Sequence, residues 1–292
     1  MSNLNERAML SSLHISTWSG MMIDRAVTDE VNESHKAAKD AGRYNKRLVA
    51  TKFLSGISQA HSNARAAHRL LTLPWEDDGT RILATVGYEA YVRKMRECRL
   101  KAEAEVKTFL ESPDAYVQEA KQRLAQMFDI NDYPDTSTLA TKFGFDVEIK
   151  PMPDAADFRA KLSDASVAAI TKDIERRTNQ RLETAMNDVF NRVVELVGRM
   201  SKRLRDYVPP KDGNRAEGII RDSVVYDISE LATEVLPVLN VTDDPRITAL
   251  QKQLLDELVE HSPEILRADA KVRAATLSKA DRLLKKVQGY LT

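Results

Sequence analysis

The chain has 292 residues, 42% of them hydrophobic and 30% charged, with 44 basic and 44 acidic side chains. That apolar share suffices for a real core and excludes wholesale disorder, while zero formal net charge excludes a protein held to nucleic acid by bulk charge, so any such binding must rest on a local patch. Ten glycines and ten prolines are few for this length; they argue against an all-β fold with its many turns and for long helices.

Glu6 and Arg7 interrupt the N-terminus before any apolar run, and no stretch approaches the roughly 18–20 apolar residues of a membrane span, so a cytoplasmic protein is expected. Residues 13–18 alternate apolar or β-favouring side chains with others, which predicts a short strand ended by Ser19 and Gly20. From 21 to about 41, Ile23, Val27 and Val31 recur every four residues, predicting a helix closed by Gly42. A second helix is expected from about 43 to 71 on the stripe of Leu48, Phe53, Ile57, Ala60, Ala64 and Ala67. Residues 74–79 form a turn-rich loop, with Trp75 anchored in the core and Glu76, Asp77 and Asp78 as a solvated turn. A third helix follows from about 86 to 111 and carries Cys98, the only cysteine, read as a small buried apolar residue.

Ser112-Pro113, Asp244-Pro245 and Ser262-Pro263 each place an N-cap acceptor before a proline at the first helical position, and so mark three helix starts. Residues 143–151 alternate and predict a strand, whose best partner is 13–18. From 163 to 207 there is no proline and one glycine, which predicts a continuous helix of about 65 Å. Leu182, Val189, Phe190, Val193 and Leu196 are its expected core face, whereas Arg176, Arg177 and Arg181 are expected to stay exposed as candidate partner-facing residues. Residues 208–214 are the best hinge, and helices at about 216–239, 245–261 and 263–290 follow. These helices are expected to pack on 182–207, leaving any homo-oligomer contact to another surface. The fold class is therefore mainly α: an elongated multi-helix bundle with one long central helix and a small two-stranded β ribbon. Two domains are expected, 1–162 (helical, with the ribbon) and 163–292 (long helix plus C-terminal bundle).

The chemistry-bearing motifs are sparse. The chain has no GxxxxGK[ST] loop, GxGxxG turn, HExxH or GxSxG. His61 and His68 are seven residues apart, too wide for one metal on a helix, where ligands sit at i,i+3 or i,i+4. No catalytic, cofactor-binding or metal-ligating set is expected. Arg43, Lys46, Arg47 and Lys52, with Tyr44 among them, lie at the start of the second expected helix. Cations there oppose the macrodipole, so they form the candidate contact for nucleic acid or an acidic partner. Arg199, Lys202, Arg203 and Arg205 crowd the end of the long helix, where the dipole favours them.

Six sets of residues together resemble an uncharacterised family of bacterial and tailed-phage proteins, a domain of unknown function. They are Ile15, Trp18 and Gly20; Leu73, Pro74, Trp75, Gly79, Arg81 and Leu83; Phe128, Asp132, Tyr133 and Pro134; Phe145, Val147 and Ile149; Pro151, Pro153, Asp157, Phe158 and Arg159; and Leu239, Asn240, Thr242, Asp243, Asp244 and Pro245. Met21 stands where that family carries a basic residue after the glycine, which weakens any role for the strand end. The resemblance supplies no catalytic residues. It implies a phage-encoded protein in a bacterial host cell, encoded near MoxR-type AAA ATPases and von Willebrand A-type domain proteins. The leading expectation is thus a non-enzymatic scaffold or adaptor with such a protein partner. A single-stranded nucleic-acid-binding protein of phage DNA metabolism is the alternative, and a hydrolase or transferase ranks third.

Overall fold

The computed structural model describes residues 4–153, 163–210 and 217–291. Among the described residues the fold is mainly α, 67% helix and 11% strand. It divides into two compact units, each discontinuous in sequence: Met1–Ser12 with Arg69–Tyr91 and Ile149–Thr292, and Leu13–His68 with Val92–Glu148. This differs from the expected division at 162/163, because segments near the N-terminus share a core with the C-terminal helices.

The first unit is built on α7 (Asp164–Asp206), the long helix expected from its unbroken sequence. Ser163 caps it, its side chain accepting the Ser166 N–H. Val189, Phe190, Val193 and Val197 are essentially inaccessible, and Leu182 and Leu196 pack half-buried against them. After α7, Val208 pairs with Glu217 in an isolated bridge; the rest of the expected hinge, from residue 211, lies outside the described residues. Next come α8 (Ser223–Glu230), a wide π turn (Leu231–Val235) and α9 (Leu236–Leu239), running on as one element. The widened turn precedes Pro237, which has no N–H for the helix ladder and whose ring crowds the preceding turn. Then follow α10 (Pro245–Leu258), α11 (Pro263–Ala268) and α12 (Ala270–Gln288). The last two divide the single helix expected over 263–290, because the Asp269 carboxylate accepts the N–H groups of Lys271 and Val272 and starts a new helix. α7 packs along α12 and against α8, as expected.

The same unit contains α1 (Leu4–Arg7), β4 (Leu73–Pro74), β5 (Arg81–Ala84), the first half of β1 (Ala8–Ser16) and the start of α4 (Tyr88–Leu110). β1 runs antiparallel to β5, with Ala8 opposite Ala84 and Leu10 opposite Ile82. Trp75 is buried among Leu73, Ile82 and the α7 seam, as expected for an anchor.

The second unit contains β2 (Met21–Ile23), α2 (Arg25–Ser34), β3 (Asn45–Arg47), most of α3 (Thr51–Leu70) and of α4, then α5 (Pro113–Leu124), α6 (Thr136–Ala140) and the start of β6 (Gly144–Pro151). Its core joins Leu48, Val49, Leu54 and Ile57 to Phe109, Tyr116 and Leu139; the Phe109 and Tyr116 rings stack with centroids 4.9 Å apart. Gly20 adopts φ +66°, and its carbonyl accepts the N–H groups of Leu48 and Val49. That positive φ favours glycine, and a β-carbon there would also press on Leu54 Cδ1 at 2.9 Å.

Two helix expectations fail here. Residues 21–23 and 45–47 pair as an antiparallel ribbon, Met22 opposite Lys46, where helix was expected. α2 ends at Ser34, with Lys36 in the left-handed region at φ +52° rather than at Gly42, and Ile23 and Val31 are exposed. A period of four over three residues does not distinguish a core face from coincidence.

A small two-stranded ribbon is thus present, made by β2 and β3. The segments expected to form it, 13–18 and 145–149, belong to β1 and β6, which do lie side by side, but in a four-stranded sheet of order β4-β5-β1-β6. A β-carbon on Gly144 would approach Ser16 Oγ to 2.6 Å, which shows how closely the two backbones run. After Arg81 the added strand β5 is apolar and buried from Ile82 to Ala84, so it lacks the alternation that marks a half-exposed strand.

Candidate functional site

The four cations expected as one contact patch are not held alike. Arg43 is exposed in the loop before β3. Arg47 donates from Nη1 to Thr51 Oγ1 at 3.1 Å, and Lys52 lies over the Phe53 ring, 5.0 Å from its centroid. Lys46 is buried, 6% exposed, because β3 turns it inward. Its Nζ lies 3.0 Å from Asp24 Oδ2 and 2.6 Å from Asp132 Oδ2, and donates to the Met127 carbonyl at 3.2 Å. Asp24 also caps α2 by accepting the Val27 N–H. One ammonium thereby ties together the start of α2, β3 and the 127–132 turns. Burial pulls the Lys46 pKa down, but the hydrogen bonds to Asp132 and Asp24 outweigh it and the pKa is raised. The Asp24 pKa is lowered, first by the Val27 N–H and then by Lys46. Lys46 is a structural residue, and the helix-start patch is corrected to Arg43, Arg47 and Lys52.

On α7, Arg176 and Arg177 are exposed, and both pair with Asp173, at 2.6 and 2.7 Å. Arg181 departs from expectation: it is half-buried, pairs with Glu76 at 2.7 Å and lies 5.3 Å from the Trp75 ring centroid. Residues 164–184 include none that is buried. Along them Val167, Ile170 and Ile174 form a half-covered apolar stripe, and the polar side chains of the segment are mostly exposed. Arg177, Gln180, Arg181 and Thr184 line one wall of a cavity of about 450 Å³, with Trp75 and the 76–78 acids opposite.

Two arginines missed in the sequence organise the first unit. Arg192 donates to the carbonyls of Arg69, Leu70 and Thr72, each at 2.8 Å, and pairs with Asp188, closing the C-terminal end of α3. Arg81 donates to the hydroxyl and carbonyl of Thr72, and burial together with neighbouring Arg192 lowers its pKa to about 10. Neither role has a local sequence signature, since every partner but Asp188 is distant along the chain or an anonymous backbone carbonyl.

In the second unit His61 is buried and its Nδ1 is 2.7 Å from Thr17 Oγ1, a satisfied core histidine. Burial, with Arg65 adding to it, lowers its pKa. Beside it, Val106, Leu110, Phe143 and Phe145 line a largely apolar cleft of about 420 Å³. Cys98 is buried, and burial raises its thiol pKa. Among the described residues no helix is long and apolar enough to cross a membrane. Comparison with protein-family models, with curated proteins and with solved structures returned no match for the chain.

Proposed function

We propose that this chain is a non-enzymatic helical scaffold or adaptor, phage-encoded, whose partner is another protein. The observation that supports this reading most is the N-terminal half of α7. An isolated helix is marginal in water below about 12–15 residues and owes most of its stability in proteins to a packed face. Residues 164–184 extend the helix by about 30 Å without contributing one buried side chain. A cap and the Asp173 ion pairs help hold it, yet exposed pairs of this kind contribute only a few tenths of a kcal/mol. The half-covered stripe of Val167, Ile170 and Ile174 suits a partner helix or groove, which would cover it at helical spacing. That the partner is a AAA ATPase or a von Willebrand A-type protein rests on the family resemblance alone.

The test is capture from infected or producing cells, comparing the wild type with a Val167→Asp, Ile170→Asp, Ile174→Asp variant. The wild type is expected to retain a AAA ATPase or von Willebrand A-type protein and the variant to lose it, with the same melting temperature. Retention of salt-removable nucleic acid instead would favour the second reading, single-stranded nucleic-acid binding. That reading keeps Arg43, Arg47 and Lys52 at the surface, but its central cation, Lys46, is committed to Asp24 and Asp132. Weak binding of single-stranded DNA near 0.15 M salt is therefore expected, because exposed charges are screened beyond about 8 Å.

A further inference from the structure

We infer that the first unit carries a binding site for a compact oxyanion of the phosphate class, between the end of α7 and the start of α8. Arg199 and Arg203, one turn apart on α7, line a cavity of about 190 Å³ together with Arg221 and Ser223. Asp227 is the one carboxylate in its wall, so the site is cationic by two charges: three arginines less one aspartate. Leu196, Met200 and Val224 complete the lining, and the three arginines stand at the surface.

The fold alone does not account for this grouping. The negative end of the α7 dipole suits Arg199 and Arg203. Arg221 stands two residues before Ser223, at the positive end of α8, where a cation is disfavoured. It also faces two further guanidinium groups. Several other arginines of this unit are matched by a carboxylate: Arg192 with Asp188, Arg205 with Asp281, Arg267 with Asp222. Arg199 has only an exposed pair with Glu195 at 3.8 Å, and among the described residues the guanidinium groups of Arg203 and Arg221 have no ion-pair or hydrogen-bond partner. Planar guanidinium forks match phosphate oxygens two at a time, and the Ser223 hydroxyl adds a neutral donor. At about 190 Å³ the cavity is smaller than the roughly 300–1,000 Å³ of sites that enclose a whole small molecule, so it suits a phosphate or pyrophosphate group. That group is either a free anion or the phosphate end of a nucleotide.

Titration calorimetry of the full chain with inorganic phosphate, pyrophosphate and ADP, at about 0.15 M salt, tests this. Pyrophosphate is expected to bind saturably. Arg203→Ala and Arg221→Ala should each weaken it about tenfold or more, the loss of a charge-assisted contact. Arg205→Ala, outside the cavity, should leave binding unchanged. Asp227→Asn removes the opposing charge and should tighten binding severalfold, a gain that no folding defect produces. ADP binding no better than pyrophosphate identifies a free anion, and ADP binding more than tenfold tighter identifies a nucleotide's phosphate end. Absence of saturable pyrophosphate binding, equal affinity in Arg221→Ala and wild type, or binding of single-stranded DNA without pyrophosphate would each overturn the assignment.

Discussion

Lys46 shows how burial changes the meaning of a charge. In sequence it is one cation among four; in the fold its side chain is 7% exposed and is matched by carboxylates that are 13% and 15% exposed. Removing one member of a buried ion cluster leaves the others desolvated, so Lys46→Ala should destabilise by about 3 kcal/mol or more, read from urea unfolding midpoints. Arg43→Ala, in an exposed loop, should change stability by less than about 0.5 kcal/mol. A Lys46→Ala variant as stable as Arg43→Ala would refute the structural role. The pKa directions fix the pH window. Asp24 is lowered in the folded chain, so its contribution is complete above the unfolded value near 3.9 and is lost as pH falls through the folded value. Lys46 is raised, so its contribution is complete below about 10.4 and is lost as pH rises through the folded value. The ordinary imidazole value, about 6.5, lies between these limits. The His61 pKa is lowered by burial, so the unfolded chain takes the proton first as pH falls below about 6.5. The wild type should therefore lose stability between pH 7.5 and 5.5, and His61→Gln, whatever its baseline, should show a flatter slope across that window. Parallel slopes for the two proteins would mean that His61 does not carry the dependence.

Helix α7 changes character along its length. Its C-terminal half is a core element: Val193 is fully buried among Val189, Phe190 and Val197, and Val193→Asp should cost about 3 kcal/mol or more by burying an unpaired charge. An unchanged melting temperature would place that seam in solvent. Asp269→Ala removes the cap that separates α11 from α12 and should cost about 1 kcal/mol, with loss of helical signal confined to the first turn of α12. The elements legible in the sequence are those whose cause is local. The Ser-Pro and Asp-Pro starts, the unbroken run of α7 and its apolar seam all speak through neighbours within a few turns. What was illegible depends on distant partners. β3 reads as the start of a helix until Met22 pairs with Lys46, and Lys46 reads as a free cation until Asp132, 86 residues onward, reaches it. The phosphate-class cavity was half legible: Arg199 and Arg203 stand out in the sequence, but Arg221 gains meaning only when α8 folds back beside α7.

Across the whole chain, sequence order and compactness diverge. A division at 162/163 follows naturally from the start of the long helix, because composition and periodicity change there. The core that surrounds α7 nevertheless takes Ala8, Leu10, Leu73, Trp75, Ile82 and Ala84 from the first third of the chain, beside Val189, Phe190 and the C-terminal leucines. A fragment beginning at 163 would lack all six. The apolar surface they cover would face water, at roughly 25 cal/mol for each Å² exposed, and Trp75 alone is 5% exposed in the intact chain. Arg192 would lose the three carbonyls it binds, keeping only Asp188. Residues 163–292 expressed alone should therefore be helical by circular dichroism but lack a cooperative thermal transition, and should bind a hydrophobic dye that the full chain does not. Adding 1–12, 69–91 and 149–162 back through short linkers should restore cooperativity, since those segments complete the same unit. A fragment 163–292 that melts as sharply as the full chain would show that the six residues pack on a core already complete without them.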